Sequence, residues 1–302
     1  MSLLITCPRT NVSHDELVSF FGKNNLKFQF IFPDNQGFSS KELTNIYQNQ
    51  EILIVGDDQV DSSFLSMAKS VKHIIKWGKG TDGIDKDFCK NNNISVVNSP
   101  GNLAKYVAEH ALSLTLAVQK KIKHNTENIN SNLWFKEHSE TLFNKTIGFL
   151  GFGAIAQETS SLLSPFGVEI NFFDIRNINN DYNQVSLQDL FSYSDVAYIT
   201  AELNENTKHL VNKNLLKLMK KESILINVSR GQIINENDLI DALESQQLNG
   251  AGLDVLEEEP ISNNNKLKSF ENVVITCHNA SNTLEASREV NMMIIDILKQ
   301  II

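Results

Sequence analysis

Thr146-Ile-Gly-Phe-Leu-Gly-Phe-Gly-Ala-Ile-Ala156 is the stretch whose reading decides the fold. An apolar run of strand character enters Gly151-x-Gly153-x-x-Ala156, and helical spacing follows at once. A glycine pair between a strand and a helix is the context in which such a loop carries a dinucleotide. The first glycine makes a tight turn and the second lets the backbone approach a pyrophosphate. The small residue at position 156 lets the helix pack closely on the strand. The pyrophosphate would then rest on the N-terminus of the helix that follows. Asp174 ends the next apolar run, Val168-Glu-Ile-Asn-Phe-Phe173, and stands 21 residues after Gly153. A carboxylate at that point accepts hydrogen bonds from ribose hydroxyls and repels a 2′-phosphate, so NAD is favoured over NADP. The plain alternative is a turn-capping aspartate beside an incidental glycine loop; the agreement of loop, spacing and acid speaks against it.

Outward from this loop, short apolar runs alternate with helical segments along the whole chain. Strands are expected at residues 3–6, 28–32, 52–55, 73–76 and 94–97, and again at 146–150, 168–173, 196–200, 224–228 and 250–254. Two of the early helices open on Ser-x-x-Glu, at Ser13…Glu16 and Ser39…Glu42, the spacing of a capping box. Alternation of this kind implies right-handed βαβ units and parallel sheets. A long helical stretch is expected from about residue 102 to 128, buried over 103–118, with polar residues dominating 119–140 as a surface connection. The expected fold class is α/β, with two doubly wound parallel-sheet domains. One is a flavodoxin-like substrate domain from residues 1–98 plus a returning C-terminal segment, 281–302; the other is a Rossmann NAD domain from 99–280. A cleft between them is the expected place for the chemistry.

With 302 residues, 41% of them hydrophobic and 17 of them Phe, two buried cores are within reach. The net charge of −9 argues against nucleic acid as a partner, because phosphate backbones require clustered Lys and Arg. Cys7, Cys89 and Cys277 have no paired spacing, which suits a reducing cytoplasm better than a disulfide framework. The N-terminal apolar run is too short for a signal peptide, and no run approaches the length of a membrane span. A soluble protein with neither membrane nor metal partner is expected.

Five further blocks occur in order. They are Gly78-Lys-Gly-Thr-Asp-Gly-Ile-Asp85; Asn98-Ser-Pro-Gly101 followed by Val107-Ala-Glu-His110; Asn227-Val-Ser-Arg-Gly231; Gly252-Leu-Asp-Val-Leu-Glu-Glu-Glu-Pro260; and Thr276-Cys-His-Asn-Ala280. With them the chain resembles the D-isomer-specific 2-hydroxyacid dehydrogenases over nearly its whole length. The resemblance implies a hydride transfer between NAD(H) and a small D-2-hydroxy acid or 2-keto acid, such as glyoxylate, hydroxypyruvate or a phosphoglycerate-like compound. It implies Arg230, Glu259 and His278 as catalytic residues. Glu259, rather than Glu257 or Glu258, is implied because the family's glutamate directly precedes the proline. Ala154, Ile155, Val228, Ser229 and Asp254 are implied as further cofactor contacts, Asp254 at the nicotinamide carboxamide. The backbone of Gly78, Lys79 and Gly80 is implied as the receiver of the substrate carboxylate, and a homodimer is the implied assembly.

Elementary chemistry agrees with those roles. Reducing a 2-keto acid needs a clamp for carboxylate and carbonyl, a proton source, and a group that orients the source. A planar guanidinium such as Arg230 binds two oxygens at once and stays charged. Histidine titrates near neutrality and can work in both directions. A carboxylate beside it fixes the tautomer. Each residue also has a bland reading: a loop arginine, a solvated glutamate run, a satisfied core histidine. His110 reads as structural or as an interdomain contact.

Several positions depart from the family pattern. Ala154 stands where arginine is frequent, Ala201-Glu-Leu203 where Thr-Pro-Leu is usual, and Cys277 where proline usually precedes the histidine. Lys79 either binds an acidic or phosphorylated tail of the substrate or points to solvent; Asp57 and Asp58 weigh mildly against 3-phosphoglycerate, while Lys79 points the other way. An NAD(H)-sensing regulator on the same scaffold is the rival reading, and a formate or phosphite dehydrogenase of the same superfamily is a second.

Overall fold

The computed structural model describes residues 1–99, 101 and 103–302. Pro100, in one of the quoted blocks, and the expected helix start at Asn102 lie outside them. The chain divides into two compact units, Met1–Leu103 with Asn282–Ile302, and Ala104–Ser281.

The first unit is built on five parallel strands: β1 (Ser2–Ile5), β2 (Lys27–Phe30), β3 (Ile52–Val55), β4 (His73–Trp77) and β5 (Ser95–Ser99). Helices α1 (His14–Lys23), α2 (Ser40–Ile46), α3 (Ser62–Met67) and α4 (Lys86–Asn91) connect them. The strand order is β2-β1-β3-β4-β5, so the chain reverses its direction of travel between β1 and β3. The central strand β3, Ile-Leu-Ile-Val, is buried at every position, as a parallel strand covered on both faces must be. Only one of the two expected capping boxes forms. Ser39 accepts from the Glu42 N–H while Glu42 reaches back to the Ser39 N–H. Ser13 makes no side-chain cap, because it ends a 3-10 turn over Pro8–Ser13 that enters the helix with a distorted backbone. Leu3, Ile5, Leu17, Phe21 and Trp77 form a core with Val290, Ile294, Ile295 and Leu298.

The second unit opens with α5 (Ala104–Gln119) and α6 (Ile122–Asn130) and continues through β6 (Thr146–Leu150), α7 (Ala154–Leu163), β7 (Glu169–Phe173), β8 (Asn183–Gln184) and α8 (Leu187–Tyr193). It ends with β9 (Val196–Ile199), α9 (Lys213–Leu216), β10 (Ile224–Asn227), α10 (Glu236–Glu244), β11 (Gly250–Leu253) and β12 (Val273–Ile275). The seven strands are parallel in the order β12-β11-β10-β9-β6-β7-β8, with the reversal between β6 and β9. The long helix expected from 102 to 128 is in fact two, because Lys121 adopts a left-handed backbone, φ +52°, and breaks it. The 18-residue helix α11 (Leu284–Ile301) follows; it is capped by Thr283 and gives its apolar residues to the first unit's core.

Helix α5 packs on β11. A Cβ on Gly250 or Gly252 would meet Val118 at 2.9 Å or Leu114 at 3.0 Å, so the two glycines set the spacing between helix and sheet. Among the described residues no helix is long and apolar enough to cross a membrane.

Candidate active site

The carboxyl end of β6 carries the glycine loop, at the point where the strand order reverses. Open α/β sheets bind their ligands in that crevice. Gly151 turns the chain with φ +86°, and a Cβ there would meet the Ala201 backbone at 2.6 Å, just past β9. The Thr200 hydroxyl donates to the Gly151 carbonyl at 2.7 Å and ties the two strand ends together. Gly153 faces open space, with no atom within 4 Å of a built Cβ, and it caps α7 without any side-chain acceptor. The first N–H groups of α7, at the exposed Ala154 and half-buried Ile155, are therefore presented at an uncovered helix start. An open cradle over uncapped amides fits the pyrophosphate of a dinucleotide.

Asp174 stands immediately after β7 with its side chain largely buried. Its Oδ2 accepts from the Phe152 N–H at 2.9 Å, which locks it to the glycine loop. Arg176 adds a two-pronged contact, Nε to Oδ1 and Nη2 to Oδ2, each 3.0 Å. Those guanidinium hydrogen bonds, aided by the Phe152 amide and opposed by burial, hold the carboxyl down at about 2. Asp174 is thus ionised throughout the neutral range.

Buried Val228 and half-buried Ser229 and Arg230 leave the end of β10. The Ser229 hydroxyl donates to the Ala201 carbonyl, so the ends of β6, β9 and β10 are linked in series. Asn227 shapes the turn by accepting from the Ser229 N–H at 3.0 Å and donating to the Arg230 carbonyl at 3.0 Å. The Arg230 guanidinium donates to the Ser229 carbonyl at 2.8 Å, among other contacts. Gly231 is glycine for a steric reason: a Cβ there would fall inside the backbone of Leu256 and Glu257. That close crossing, with Gln232 Nε2 donating to the Glu257 carbonyl at 3.1 Å, joins the Arg230 turn to the turn that carries Glu259.

His278 Nδ1 lies 2.9 Å from Glu259 Oε2, and Glu259 Oε1 accepts from the Leu256 N–H at 2.9 Å. Both side chains are partly exposed, 29% and 23%. Of the three consecutive glutamates, Glu257 pairs with His209 and Glu258 is exposed, leaving Glu259 as the one that faces the imidazole. His278 sits in the left-handed region, φ +53°, a strained backbone for a residue with a Cβ.

Asp254 is 1% exposed and organises the turn around His278. Its carbonyl accepts from the His278 N–H at 2.8 Å. Its carboxylate accepts from the Thr276 hydroxyl at 2.5 Å and from the N–H groups of Asn279 and Ala280 at 2.8 and 2.9 Å. His110 Nε2 lies 3.3 Å away. Burial alone would raise this carboxyl; the donors, His110 and Thr276 foremost, outweigh it and hold the group below the usual carboxylate range. From sequence His110 reads as structural or as an interdomain contact, and nothing singles out Thr276. Only their contact across 166 positions reveals the connection.

Gly78, Lys79 and Gly80 belong to the first unit, at the end of β4. Gly78 turns with φ +88°, its N–H meets the Ser99 hydroxyl at 3.3 Å, and the Lys79 carbonyl accepts from Asn98 at 2.9 Å. The Lys79 side chain is exposed. The two aspartates after β3 divide their work. Asp58 is buried and structural, accepting from Thr6, Gly56 and Phe38. Asp57 pairs with Arg9 and lies 3.4 Å from Lys76, while the Arg9 guanidinium covers the Trp77 ring at 4.4 Å. Arg9 follows β1 and Asp57 follows β3, so this charged group marks the strand reversal of the first sheet. Among the described residues no three His, Cys, Asp or Glu side chains are grouped to hold a metal ion.

Comparison with known proteins bears on the same features. The family model for the NAD binding domain of the D-isomer specific 2-hydroxyacid dehydrogenases matches residues 112–280. A hydroxypyruvate reductase of Thermotoga maritima is 34% identical over 262 residues, spanning 84% of this chain and 86% of that protein. A glyoxylate reductase of Thermofilum pendens is 34% identical over 256 residues, 81% and 76% of the two chains. Among solved structures, an NAD-dependent formate dehydrogenase of Staphylococcus aureus in complex with NAD aligns with a TM-score of 0.89 at 27% identity, over 100% of this chain and 95% of that one. Two parallel α/β sheets, the glycine loop with its paired aspartate, and these relatives lead to one conclusion: the chain belongs to the D-isomer-specific 2-hydroxyacid dehydrogenase family and is an NAD-dependent oxidoreductase.

Proposed function

We propose that the protein reduces a small 2-keto acid of the glyoxylate or hydroxypyruvate class, with His278 as proton donor, Glu259 as its orienting carboxylate and Arg230 as the substrate clamp. The observation that carries the reading is the 2.9 Å contact between His278 Nδ1 and Glu259 Oε2. A carboxylate accepts, so Nδ1 holds its proton and Nε2 is the atom left to exchange a proton with substrate. In reduction Nε2 gives its proton to the oxygen that becomes the hydroxyl; in oxidation it takes that proton back. Arg230 binds the substrate carboxylate and polarises the carbonyl; in the first unit, the backbone N–H groups of Gly78, Lys79 and Gly80 are the substrate-binding groups of this reading. Bound NADH supplies the hydride. Gly151, Gly153, Ala154 and Ile155 hold its pyrophosphate, Asp174 its adenosine ribose, and Val228, Ser229 and Asp254 the nicotinamide end.

The substrate class rests on the two sequence relatives, a hydroxypyruvate reductase and a glyoxylate reductase. Asp57 supports it too, since a carboxylate paired with both Arg9 and Lys76 occupies cations that a phosphate would need. The first unit is the substrate domain in this reading and the second the NAD domain. The free cysteines, Cys7 and Cys89 buried and Cys277 exposed, suit a reducing compartment such as the cytoplasm. A homodimer is part of the proposal. Leu133, Trp134, Phe135 and Phe143 are exposed in one segment of the second unit, Trp134 by 88%, and a second copy is the occupant.

The test is NADH oxidation by purified protein against a panel of 2-keto acids, with NADPH and a His278→Asn variant alongside. NADH-dependent turnover of glyoxylate or hydroxypyruvate, lost in the variant, is the expected result. Tight NADH binding without turnover of any acid would overturn the proposal in favour of an NAD(H)-sensing regulator. Light scattering on wild type and Trp134→Glu checks the assembly: a dimer converted to monomer is expected, and a wild-type monomer contradicts it.

A further inference from the structure

We propose that His110, on α5, is a positioning residue for the acid–base histidine, holding the His278 turn in register through Thr276 and Asp254. This rests on the reading of His278 as proton donor. The proton inventory of the contact fixes its direction. Thr276 Oγ1 lies 2.5 Å from Asp254 Oδ1 and 2.9 Å from His110 Nε2. A hydroxyl has one proton, and the ionised Asp254 can only accept, so that proton points to Asp254. The lone pair facing His110 must then receive a proton, and His110 carries it on Nε2. The same N–H also approaches Asp254 Oδ1, at 3.3 Å.

The consequence for His278 follows from how its turn is tied. Residues 276–280 wrap around Asp254, which takes the Thr276 hydroxyl on one side and the Asn279 and Ala280 amides on the other. The Asp254 carbonyl takes the His278 N–H between them. These ties hold His278 at φ +53°, an uncommon backbone conformation for a residue with a Cβ. They are all local to the turn and the end of β11. His110 is a contact that comes from elsewhere, from a helix whose neighbours Val107, Ala111 and Leu114 are buried in the sheet's core. Gly250 and Gly252 allow the close approach, because a Cβ at either position would crowd Val118 or Leu114 of α5. His110 therefore references the turn, and with it the imidazole, to the rigid body of the unit. It need not touch substrate to matter, since a shift of about 1 Å in a reacting group costs on the order of a hundredfold in rate.

The experiment compares His110→Phe, His110→Gln and Thr276→Val with wild type and with His278→Gln. It measures kcat and KM for glyoxylate or hydroxypyruvate, NADH affinity by protein fluorescence, and melting temperature. His110→Phe fills the space without a donor; His110→Gln keeps an N–H donor; Thr276→Val removes the hydroxyl and keeps the shape. Expected are a fall in kcat of about 10- to 100-fold for His110→Phe and Thr276→Val and recovery to within about threefold in His110→Gln. KM, NADH affinity and melting temperature should stay close to wild type. Unchanged kcat in His110→Phe and Thr276→Val overturns the inference. So does a loss that Gln does not rescue and that tracks melting temperature, which marks a purely structural contact. If His110→Phe does not fold, Thr276→Val decides alone. Retained activity in His278→Gln would instead remove the underlying reading, which separates the two failures.

Discussion

Gly151 and Gly153 are two positions apart, yet replacing each by alanine should do different things. At Gly151 two costs combine. The backbone has φ +86°, a left-handed conformation that costs an L residue about 1–2 kcal/mol. The new Cβ would also stand 2.6 Å from the Ala201 Cα and 2.7 Å from its N, where ordinary contact begins at 3.4 Å. The shortfall of about 0.8 Å must be met by backbone rather than by a flexible side-chain end. Overpacking of this sort costs about 1–3 kcal/mol, so Gly151→Ala should lose about 2–5 kcal/mol in all. For a unit of this size that lowers the melting temperature by roughly 5–15 °C. The displacement also passes along Thr200 and Ser229 toward Arg230, so NADH affinity and turnover should fall with stability. Gly153→Ala meets no atom within 4 Å and has an ordinary extended backbone, so the fold should not notice it. Its methyl group enters the space over the start of α7 where a pyrophosphate would lie. The assay is NADH titration by fluorescence with a thermal melt of each variant. Gly153→Ala should melt within about 2 °C of wild type while binding NADH at least about tenfold more weakly, equivalent to about 1.4 kcal/mol. Wild-type affinity in Gly153→Ala would refute the placement of the cofactor over this helix, whatever Gly151→Ala does.

Two further outcomes are expected. Asp174→Ala removes the ribose acceptor and releases Arg176, so NADH binding should weaken by about 1.5–3 kcal/mol, the range for hydrogen bonds to a charged group. NADPH should lose far less, and an unchanged ratio of NADH to NADPH affinity would count against Asp174 as the discriminating residue. Asp254 titrates below the usual carboxylate range in the folded protein. Its contribution to stability is therefore fully present above the unfolded value, about 3.9, and is lost as pH falls through the lower folded value. Asp254→Asn should thus melt below wild type by a constant margin from pH 7 to about pH 4.5, and the margin should close in more acidic buffer. A gap that closes between pH 7 and 5 would mean that another group is responsible.

What could be read from the sequence and what could not follow from how local each constraint is. Gly151, Gly153 and Asp174 are legible because backbone geometry within some 20 residues demands them. The strands of both sheets are legible because parallel strands covered on both faces are continuous apolar runs, as in Ile52–Val55 and Ile224–Asn227. The two-residue β8 and three-residue β12 are too short to leave such a run. Neither Gly nor Pro announces the break at Lys121. Ser13 and Ser39 have the same spacing to a glutamate, and only the entry path of the chain separates the cap that forms from the one that does not. Asp57 and Asp58 are adjacent in sequence but point into different surroundings, one toward Arg9 and Lys76, the other into the buried end of β3. The role of His110 is the least legible of all. It depends on two glycines in a distant strand and on a threonine 166 positions away.

The C-terminal helix carries a consequence for how the protein is made. Its residues Val290, Ile294 and Leu298 complete a core begun by Leu3, Ile5 and Phe21, and Asn291 accepts the Trp77 indole N–H from 214 positions away. The whole second unit, Ala104–Ser281, is therefore translated between the two halves of the first. At roughly 5–20 residues per second, the apolar side of the first sheet waits about 10–40 s on the ribosome before its covering helix emerges. The second unit, continuous in sequence, can meanwhile complete its own sheet. The nascent first unit is then the aggregation-prone half and the natural client of a holding chaperone, and a chain that stops short of Leu284 would keep an intact glycine loop while leaving the first unit's core uncovered.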